Sequence, residues 1–442
     1  MPGLTDTQTS FLRGLFRSAP DGAVNSLQKA LAAEADGGGA MARVFGLVAE
    51  EAADRRVRAA VFGPIGAMCR PSPSRAPRFP ARAIPNLWTA LRETYPDEIL
   101  RAENACLRDE ADAAAVYDRL CYLGADGLRM AHAAFQPTID VLTAVGPSAV
   151  EEFASYLDLS PLARDGLARL PDWIGRLTEE RTAAARIAYK DACAHADDAG
   201  PRYFEILYAN LSEPWLILRV ISAVMDHPSD SYVAVSELAR FGEYLLEDID
   251  RRLALFSNFS PDQGREAGLA AGETIHVAAQ EISEFETSFD LNREGPWGRR
   301  LIKQRQTMSN LAETRYGQIA KALDQAMPLQ MVKFGKGVKG HPKLIADPDP
   351  RLLQRAEGLM GFFDHTRNYA SQSGFGAARA KVAEAIDSRM DQYVEDLLEL
   401  LHAPEPENLD RVRAYLEVSA DIMQAARGDK AAQIVRRRAH AA

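Results

Sequence analysis

The stretch Trp215–Met225, with the sequence WLILRVISAVM, decides the fold class of this chain. Arg219 is its only charged residue, and Pro214 fits the first turn of a helix, where a missing N–H costs nothing. A helix that is apolar on all sides is either a core helix or a membrane span, and a span needs about 18 or more apolar residues. We therefore predict that this stretch is the central helix of an all-helical body.

Length and composition are those of a globular chain with more than one domain. The 442 residues, 47 % of them apolar, predict two or three domains or one extended helical array. The net charge of −10 argues against a surface that coats nucleic acid non-specifically. Four scattered cysteines without a C-x-x-C pair, and an N-terminus without a basic region followed by an apolar one, predict a cytoplasmic protein.

Apolar residues recur at helical spacing along nearly the whole chain, so the sequence predicts an all-α fold. We expect an irregular or solenoid-like array of short helices first, because Pro147, Pro161 and Pro171 fit first helical turns. An antiparallel bundle of longer helices follows. The expected segments are a helical segment in 1–62, a Pro/Arg-rich linker or arm in 63–85, a main helical domain in 86–326, a Lys/Gly-rich loop in 327–348, a helical hairpin or bundle in 349–428 and a basic tail in 429–442.

Three shorter patterns in the second half carry predictions of their own. The sequence LQMVKF at Leu329–Phe334 is the only stretch that fits a β-strand. Four acidic residues predict a solvated helix face: Glu243, Glu247, Asp248 and Asp250. Apolar residues from Val382 to Leu400 are spaced close to a coiled-coil seam, which predicts internal packing or, as the alternative, part of a homodimer contact.

Residues 55–92 hold eight arginines and no acidic residue, and residues 63–85 within them hold six prolines. Proline at this density favours an extended path, and the planar guanidinium suits carboxylates and phosphates. We predict a basic linker or an interaction arm for an acidic protein surface, nucleic acid or anionic lipid. Its aromatic residues do not form an evident base-stacking pattern. The candidate binding residues are Arg70, Arg75, Arg78 and Arg82.

A second basic stretch matches G-x-G-x-x-G at Gly335–Gly340. The dinucleotide fingerprint needs a strand before it and a helix after it, and the helical surroundings argue against that function. A solvated flexible loop is the simplest interpretation, and docking of a phosphate or an acidic partner is the alternative. The candidate binding residues are Lys333, Lys336, Lys339 and Lys343.

Single polar residues within helices provide the remaining candidates. Arg219 in the apolar stretch needs a partner, either an ion pair with another helix or a ligand carboxylate or phosphate. Glu273 and His276 form one Glu-x-x-His motif, but the second copy that a di-metal bundle site needs is missing. We recognise no cofactor motif and no metal site.

These patterns favour an all-helical protein-interaction or adaptor protein without a catalytic constellation. One alternative is a bundle enzyme or small-ligand binder with a site around Arg219, Glu273 and His276. The other alternative is binding of nucleic acid or an anionic surface through the arginine-rich arm, which the acidic remainder of the chain disfavours. The expected partner is another protein, with an acidic surface as one option, ahead of nucleic acid, an anionic membrane surface or a second copy of the chain.

Overall fold

Helices make up 81 % of the chain in a computed structural model, which confirms the all-α prediction. The structure describes residues 4–32, 39–71, 77–108, 112–176, 178–225, 228–334, 337–403 and 408–441. The chain divides into two compact units, Met1–Asp226 and His227–Ala442. Among the described residues, no helix is long and apolar enough to cross a membrane.

The first unit is built from helices α1 to α11. Short 3₁₀ helices at Ala67–Cys69, Ala133–Phe135 and Pro214–Leu216 connect some of them. The α-helices are α1 Asp6–Ser18, α2 Asp21–Leu31, α3 Ala40–Gly66, α4 Ala83–Thr94, α5 Pro96–Arg108, α6 Ala113–Arg129, α7 Gln136–Thr143, α8 Ala149–Ile174, α9 Glu179–His195, α10 Ala199–Asn210 and α11 Ile217–Val224.

The apolar stretch that opened the sequence analysis is a core element of the first unit. It folds as a 3₁₀ turn, Pro214–Leu216, that continues into α11. Trp215, Ile217 and Ile221 are buried, and α11 packs against α8, α9 and α10. The prediction of a buried helix is therefore confirmed, but the α-helical part is only eight residues long.

Two helices of the first unit continue through prolines that were expected to interrupt regular structure. Pro64 lies inside α3, which ends at Gly66 and not before residue 63. Pro161 and Pro171 lie inside α8 and do not begin new helices. A proline inside a helix removes one backbone hydrogen bond and costs about 3 kcal/mol. Helix α8 packs against six helices, α3, α6, α7, α9, α10 and α11, and this burial offsets the cost.

The second unit contains helices and a β-hairpin. The expected contrast between short helices in the first half and long ones in the second is not found, because α3 and α8 of the first unit have 27 and 26 residues. A 3₁₀ helix precedes α14 at Pro261–Gln263, and another follows α16 at Thr366–Asn368. Its elements are α12 Asp230–Val233, α13 Ala239–Ser257, α14 Arg265–Ser288, α15 Pro296–Ala326, β1 Leu329–Phe334, β2 Gly337–Pro342, α16 Pro350–His365, α17 Gly376–Leu401, α18 Leu409–Arg427 and α19 Asp429–Ala441.

The stretch expected to be a Lys/Gly-rich loop contains an antiparallel hairpin. Leu329 pairs with Pro342 and Phe334 with Gly337. The stretch LQMVKF, which the sequence allowed as a strand without predicting one, forms β1, so the loop prediction is wrong for this part of the segment. Strand β2, GVKGHP, carries two glycines and a proline, which are depleted in strands. Its composition therefore does not predict a strand, and it becomes one through its pairing with β1.

Helices α14 and α16 cross at a contact made by glycines. A Cβ atom added at Gly268 would lie 1.9 Å from the carbonyl oxygen of Gly358. A Cβ atom at Gly361 would lie 2.5 Å from the carbonyl oxygen of Arg265. The two backbones therefore touch directly, and only residues without a side chain fit this crossing.

The near-heptad face of α17 is buried within the second unit. Ile386, Met390, Tyr393 and Leu397 are all buried, and α17 packs against α15 and α18. These contacts within one chain agree with internal packing and give no support to a coiled coil.

The residues expected to form a basic tail are helical as α19, which packs on α18. Ala432 and Val435 are buried. Arg436 contacts the carboxylates of Glu417 at 2.7 Å and Asp421 at 2.6 Å. Paired arginines and a small apolar face thus hold this segment on the unit.

Candidate functional site

The first unit contains an open cleft of about 700 Å³ between α1, α3, α4 and α5, which we call the arginine cleft. Its charged lining residues are Arg13, Arg17, Arg56, Arg58, Arg92, Glu50, Glu51, Asp54, Glu93 and Glu103. Trp88, Leu107 and several other apolar side chains complete the walls. A volume of this size lies within the usual range of ligand sites, about 300–1,000 Å³.

Asp54 on α3 organises the charges of the arginine cleft. Its Oδ1 accepts a hydrogen bond from the indole N–H of Trp88 at 2.7 Å. The same oxygen lies 2.8 Å from the guanidinium of Arg92, which also contacts Glu103 at 2.5 Å. Asp54 is therefore already engaged by two strong donors.

Arg58, one turn further along α3, has a poorer partner. Its guanidinium lies 3.9 Å from Oδ2 of Asp54, and its side chain is only 19 % exposed. Burial lowers the pKa of Arg58; Asp54 opposes this effect, and the positive charge of Arg55 adds to it. Glu51 and Asp21 add weaker favourable charge. Arg58 thus keeps its charge in a half-buried position with no described carboxylate closer than 3.9 Å, which is the arrangement that an anionic ligand relieves.

Two more arginines of the lining are open to solvent. Arg17 on α1 and Arg56 on α3 are exposed. No carboxylate of the described residues lies within ion-pair distance of either. Arg13, by contrast, contacts Glu50 at 3.4 Å. The arginine cleft therefore has positive groups available for a ligand, beside carboxylates that are mostly occupied.

The predicted arginine arm is partly folded back onto the first unit. Arg78 contacts Glu152 at 3.0 Å and the largely buried Glu205 at 3.3 Å, and its guanidinium lies over the ring of Tyr156. Phe79 is buried edge-on between Phe153 and Tyr156. At these residues, intramolecular carboxylates and aromatic rings occupy the side chains that were expected to meet a partner.

The other predicted arm residues lie in three different situations. Arg70 is 68 % exposed and 3.9 Å from Asp21. Arg82 is exposed and precedes α4. Arg75 lies outside the described residues. The structure places none of the four candidates in the lining of the arginine cleft.

Lysines of the predicted loop belong to the β-hairpin or to its end. The backbones of Lys333 and Lys339 lie in β1 and β2. Lys343 is exposed, and its backbone N–H donates to the carbonyl oxygen of Pro328. Lys336 lies outside the described residues.

The core arginine Arg219 caps the C-terminal end of a helix. Its guanidinium donates to the carbonyl oxygen of Ile174, the last residue of α8, at 2.6 Å. A cation at this place offsets the negative end of the helix dipole.

Glu273 and His276 lie in α14 of the second unit, whereas Arg219 belongs to the first. Oε2 of Glu273 lies 3.0 Å from Nε2 of His365. The ring of His276 packs on Tyr369 at a centroid distance of 4.4 Å, and Tyr369 donates its hydroxyl to the carbonyl oxygen of Gly272. Among the described residues, no three His, Cys, Asp or Glu side chains are grouped to hold a metal ion.

Sequence reasoning missed a buried carboxyl pair between α13 and α14. Glu281 is 1 % exposed. Burial and the neighbouring Asp248 raise the pKa of Glu281 to about 9. Burial also acts to raise the pKa of Asp248, but hydrogen bonds from Glu281, Arg251 and Arg252 outweigh it, so that pKa is lowered. Asp248 is therefore not part of a solvated face, and the protonated Glu281 is its hydrogen-bond donor.

Sequence reasoning also missed Arg56, Arg58 and Arg92 as site residues, although all three lie in the arginine-rich stretch 55–92. The available signal was local: Asp54 and Arg58 are four residues apart and face each other on a helix.

Compared with known proteins, the chain matches no family model, no curated protein and no solved structure.

Proposed function

We propose that this chain is a protein-interaction protein whose first unit binds an acidic segment of a partner in the arginine cleft. The observation that carries the proposal is Arg58, a half-buried guanidinium whose nearest carboxylate among the described residues is 3.9 Å away. That carboxylate, on Asp54, already bonds Trp88 and Arg92. A carboxylate of a partner would give Arg58 a closer partner than any carboxylate in the described part of the chain.

The distribution of charge supports a protein segment over nucleic acid. Acidic side chains alternate with arginines around the arginine cleft, and Glu93 in the lining is exposed. A nucleic acid presents phosphates alone, which these acids repel, whereas an acidic protein segment also carries donors that they accept. Phe62, Phe79 and Trp88 are all buried, so these aromatic rings of the arginine-rich stretch are not open to stack on bases.

Apolar surface at the arginine cleft supports an amphipathic segment. Leu107 on α5 belongs to the lining and is 72 % exposed. An amphipathic helix with acidic residues on one face and leucines on the other would cover Leu107 while its carboxylates reach Arg17, Arg56 and Arg58.

The test is binding of a designed acidic helix to the full chain. A fluorescein-labelled 16-residue peptide of glutamate and leucine, arranged as an amphipathic helix, is titrated and followed by fluorescence anisotropy. The matched peptide has glutamine in place of glutamate. We expect the glutamate peptide to bind at least tenfold more tightly, and its affinity to fall between 50 and 300 mM NaCl because salt screens exposed charges.

The double variant Arg17→Glu/Arg56→Glu should weaken this binding at least tenfold. Arg169→Glu is the matched control, because Arg169 is an exposed arginine on α8 outside the arginine cleft. Equal affinity of wild type and double variant would contradict the proposal, as would equal binding of the two peptides.

A further inference from the structure

The second unit has a surface pocket of about 380 Å³ between α15 and α16, which we call the Lys321 pocket. Helix α15 contributes Gln318, Lys321, Ala322 and Gln325, and helix α16 contributes Arg355. The α15 residues are spaced by three and four positions, so they lie on one face of that helix. Because α15 and α16 pack against each other, this face meets Arg355 across a fixed helix contact. The volume suits a small ligand.

The Lys321 pocket is positive although the chain as a whole is acidic. Its five lining residues include a lysine, an arginine and two glutamines but no carboxylate, whereas the chain carries a net charge of −10. Lys321 is exposed, and no carboxylate of the described residues lies within ion-pair distance of it. A pocket lined by one sign of charge concentrates ligands of the opposite sign.

Arg355 keeps hydrogen-bond donors available for a ligand. Only its Nη1 contacts Asp262, at 3.1 and 3.3 Å from the two carboxylate oxygens. Its Nη2 and Nε have no hydrogen-bond partner among the residues that the structure describes. The Asp262 side chain is 60 % exposed, so water weakens this ion pair. Arg355 therefore still offers part of the planar fork with which arginine binds phosphate.

Arg315, one turn before Gln318 in α15, adds a third positive charge beside the pocket. It donates to Oε1 of Gln318 at 3.5 Å and to the carbonyl oxygen of Ser257 at 2.9 Å, and both acceptors are neutral. Burial and the positive charge of Arg355 lower the pKa of Arg315. Since Oε1 of Gln318 accepts from Arg315, its Nε2 is left to donate to a ligand. An anion beside Arg355 would relieve the repulsion between the two guanidinium groups.

We propose that the Lys321 pocket binds a small molecule that carries two linked phosphate groups. The donors lie on two helices, with Lys321 and the glutamine amides on α15 and the free nitrogens of Arg355 on α16. A diphosphate has enough acceptor oxygens and negative charge to contact both sides, whereas a single carboxylate can neutralise only one of the cations. The inference concerns the second unit and is independent of the arginine cleft.

Isothermal titration calorimetry of the full chain with inorganic pyrophosphate tests this inference. Orthophosphate and citrate are titrated in the same buffer, because orthophosphate has one phosphate group and citrate is a multiply charged carboxylate. We expect pyrophosphate to bind at least tenfold more tightly than either. Its affinity should fall at least fivefold between 50 and 300 mM NaCl, because salt screens charges in an open pocket.

The double variant Lys321→Ala/Arg355→Ala should weaken pyrophosphate binding at least tenfold. The matched control is Lys303→Ala/Arg413→Ala, which removes the same two charges from exposed residues outside the pocket. Far-UV circular dichroism and thermal unfolding check that both variants fold.

A change of a few atoms in the lining gives a second test. Gln325→Glu puts a carboxylate into the pocket at constant side-chain size and should weaken pyrophosphate binding at least fivefold through repulsion. Gln306→Glu is its matched control, because Gln306 is an exposed glutamine of α15 outside the pocket.

Four results would overturn the inference. The first is no measurable binding of pyrophosphate, and the second is equal affinity for citrate, which would make the pocket a general anion site. The third is equal affinity of wild type and Lys321→Ala/Arg355→Ala. The fourth is loss of pyrophosphate binding in Arg17→Glu/Arg56→Glu but not in the pocket variant, which would assign the phosphate to the arginine cleft.

Discussion

Arg58 in the first unit and Glu281 in the second unit are both ionisable side chains withdrawn from water, and they respond in opposite ways. Glu281 is sealed between α13 and α14, where its pKa of about 9 keeps it protonated at neutral pH. Arg58 lies in the wall of an open cleft and stays charged, since arginine does not lose its proton in proteins.

The comparison shows two ways of meeting the cost of a buried charge. A carboxyl group can take up a proton and donate a hydrogen bond to Asp248, so its site is complete within the chain. A guanidinium has no such option and needs an anion. The sealed region is therefore a place where changes affect stability, and the open region is a place where changes affect binding.

The largest effect is expected from disrupting the glycine contact between α14 and α16 of the second unit. Gly268→Ala would place a Cβ atom 1.9 Å from the carbonyl oxygen of Gly358, which forces α14 and α16 apart and should destabilise the second unit by about 3 kcal/mol. Urea unfolding of the full chain measures this change.

Gly317→Ala in α15 is the matched control, because a Cβ atom there meets nothing within 4 Å. This change should stabilise the chain by about 0.5–1 kcal/mol through helix propensity alone. A similar response to both substitutions would show that the α14–α16 crossing is not tightly packed.

The second largest effect is a pH dependence of stability that arises from the protonation of Glu281. Its pKa is about 9 in the folded chain and near 4.5 in the reference state, so folding takes up a proton between these values. The stabilising contribution is complete below pH 4.5, is lost progressively as pH rises, and is absent above pH 9. Glu281→Gln removes this dependence and should stabilise the chain by about 2 kcal/mol at pH 8, because glutamine is neutral without a proton.

Urea unfolding at pH 5, 7 and 9 measures the dependence. Glu266→Gln is the matched control, since Glu266 is an exposed glutamate of the same helix. If the stability of wild type and Glu281→Gln varies with pH in parallel, Glu281 is not the proton acceptor.

The smallest effect on stability is expected in the open region. Arg58→Met removes a half-buried charge that lacks a close partner and should stabilise the first unit by about 1 kcal/mol. The same change should weaken binding of the glutamate–leucine peptide at least fivefold. Anisotropy and urea unfolding on one preparation separate the two effects, and a loss of stability with unchanged binding would assign Arg58 a purely structural role.

Local patterns in the sequence predicted most of the fold. Helical spacing identified the helices, and the apolar stretch before Met225 identified a core element. The sequence allowed β1 at LQMVKF but favoured a loop there. The sequence did not predict strand β2, because its glycines and proline have low strand propensity and its pairing depends on the register with β1. The sequence also failed to predict that α8 is continuous, because its packing against six neighbouring helices outweighs the cost of Pro161 and Pro171.

The sequence could not show which charges meet. It pointed to the arginine-rich stretch 55–92, but the arginine cleft takes only Arg56, Arg58 and Arg92 from it and adds Arg13 and Arg17 from α1. Arg78 forms ion pairs with Glu152 and Glu205, which lie 74 and 127 residues further along the chain. Composition counts charges, whereas a site depends on which of them remain without a partner after folding.

By itself, the sequence determined the helical class of this protein, the apolar faces that become its core and the two places where positive charge accumulates. These properties follow from spacing within a few turns of chain, where backbone geometry fixes which side chains share a face. The tertiary structure decided the protonation of Glu281, the glycine contact of α14 with α16 and the incomplete pairing of Arg58. Each of these depends on how helices pack and on where water is excluded, and no local pattern contains that information.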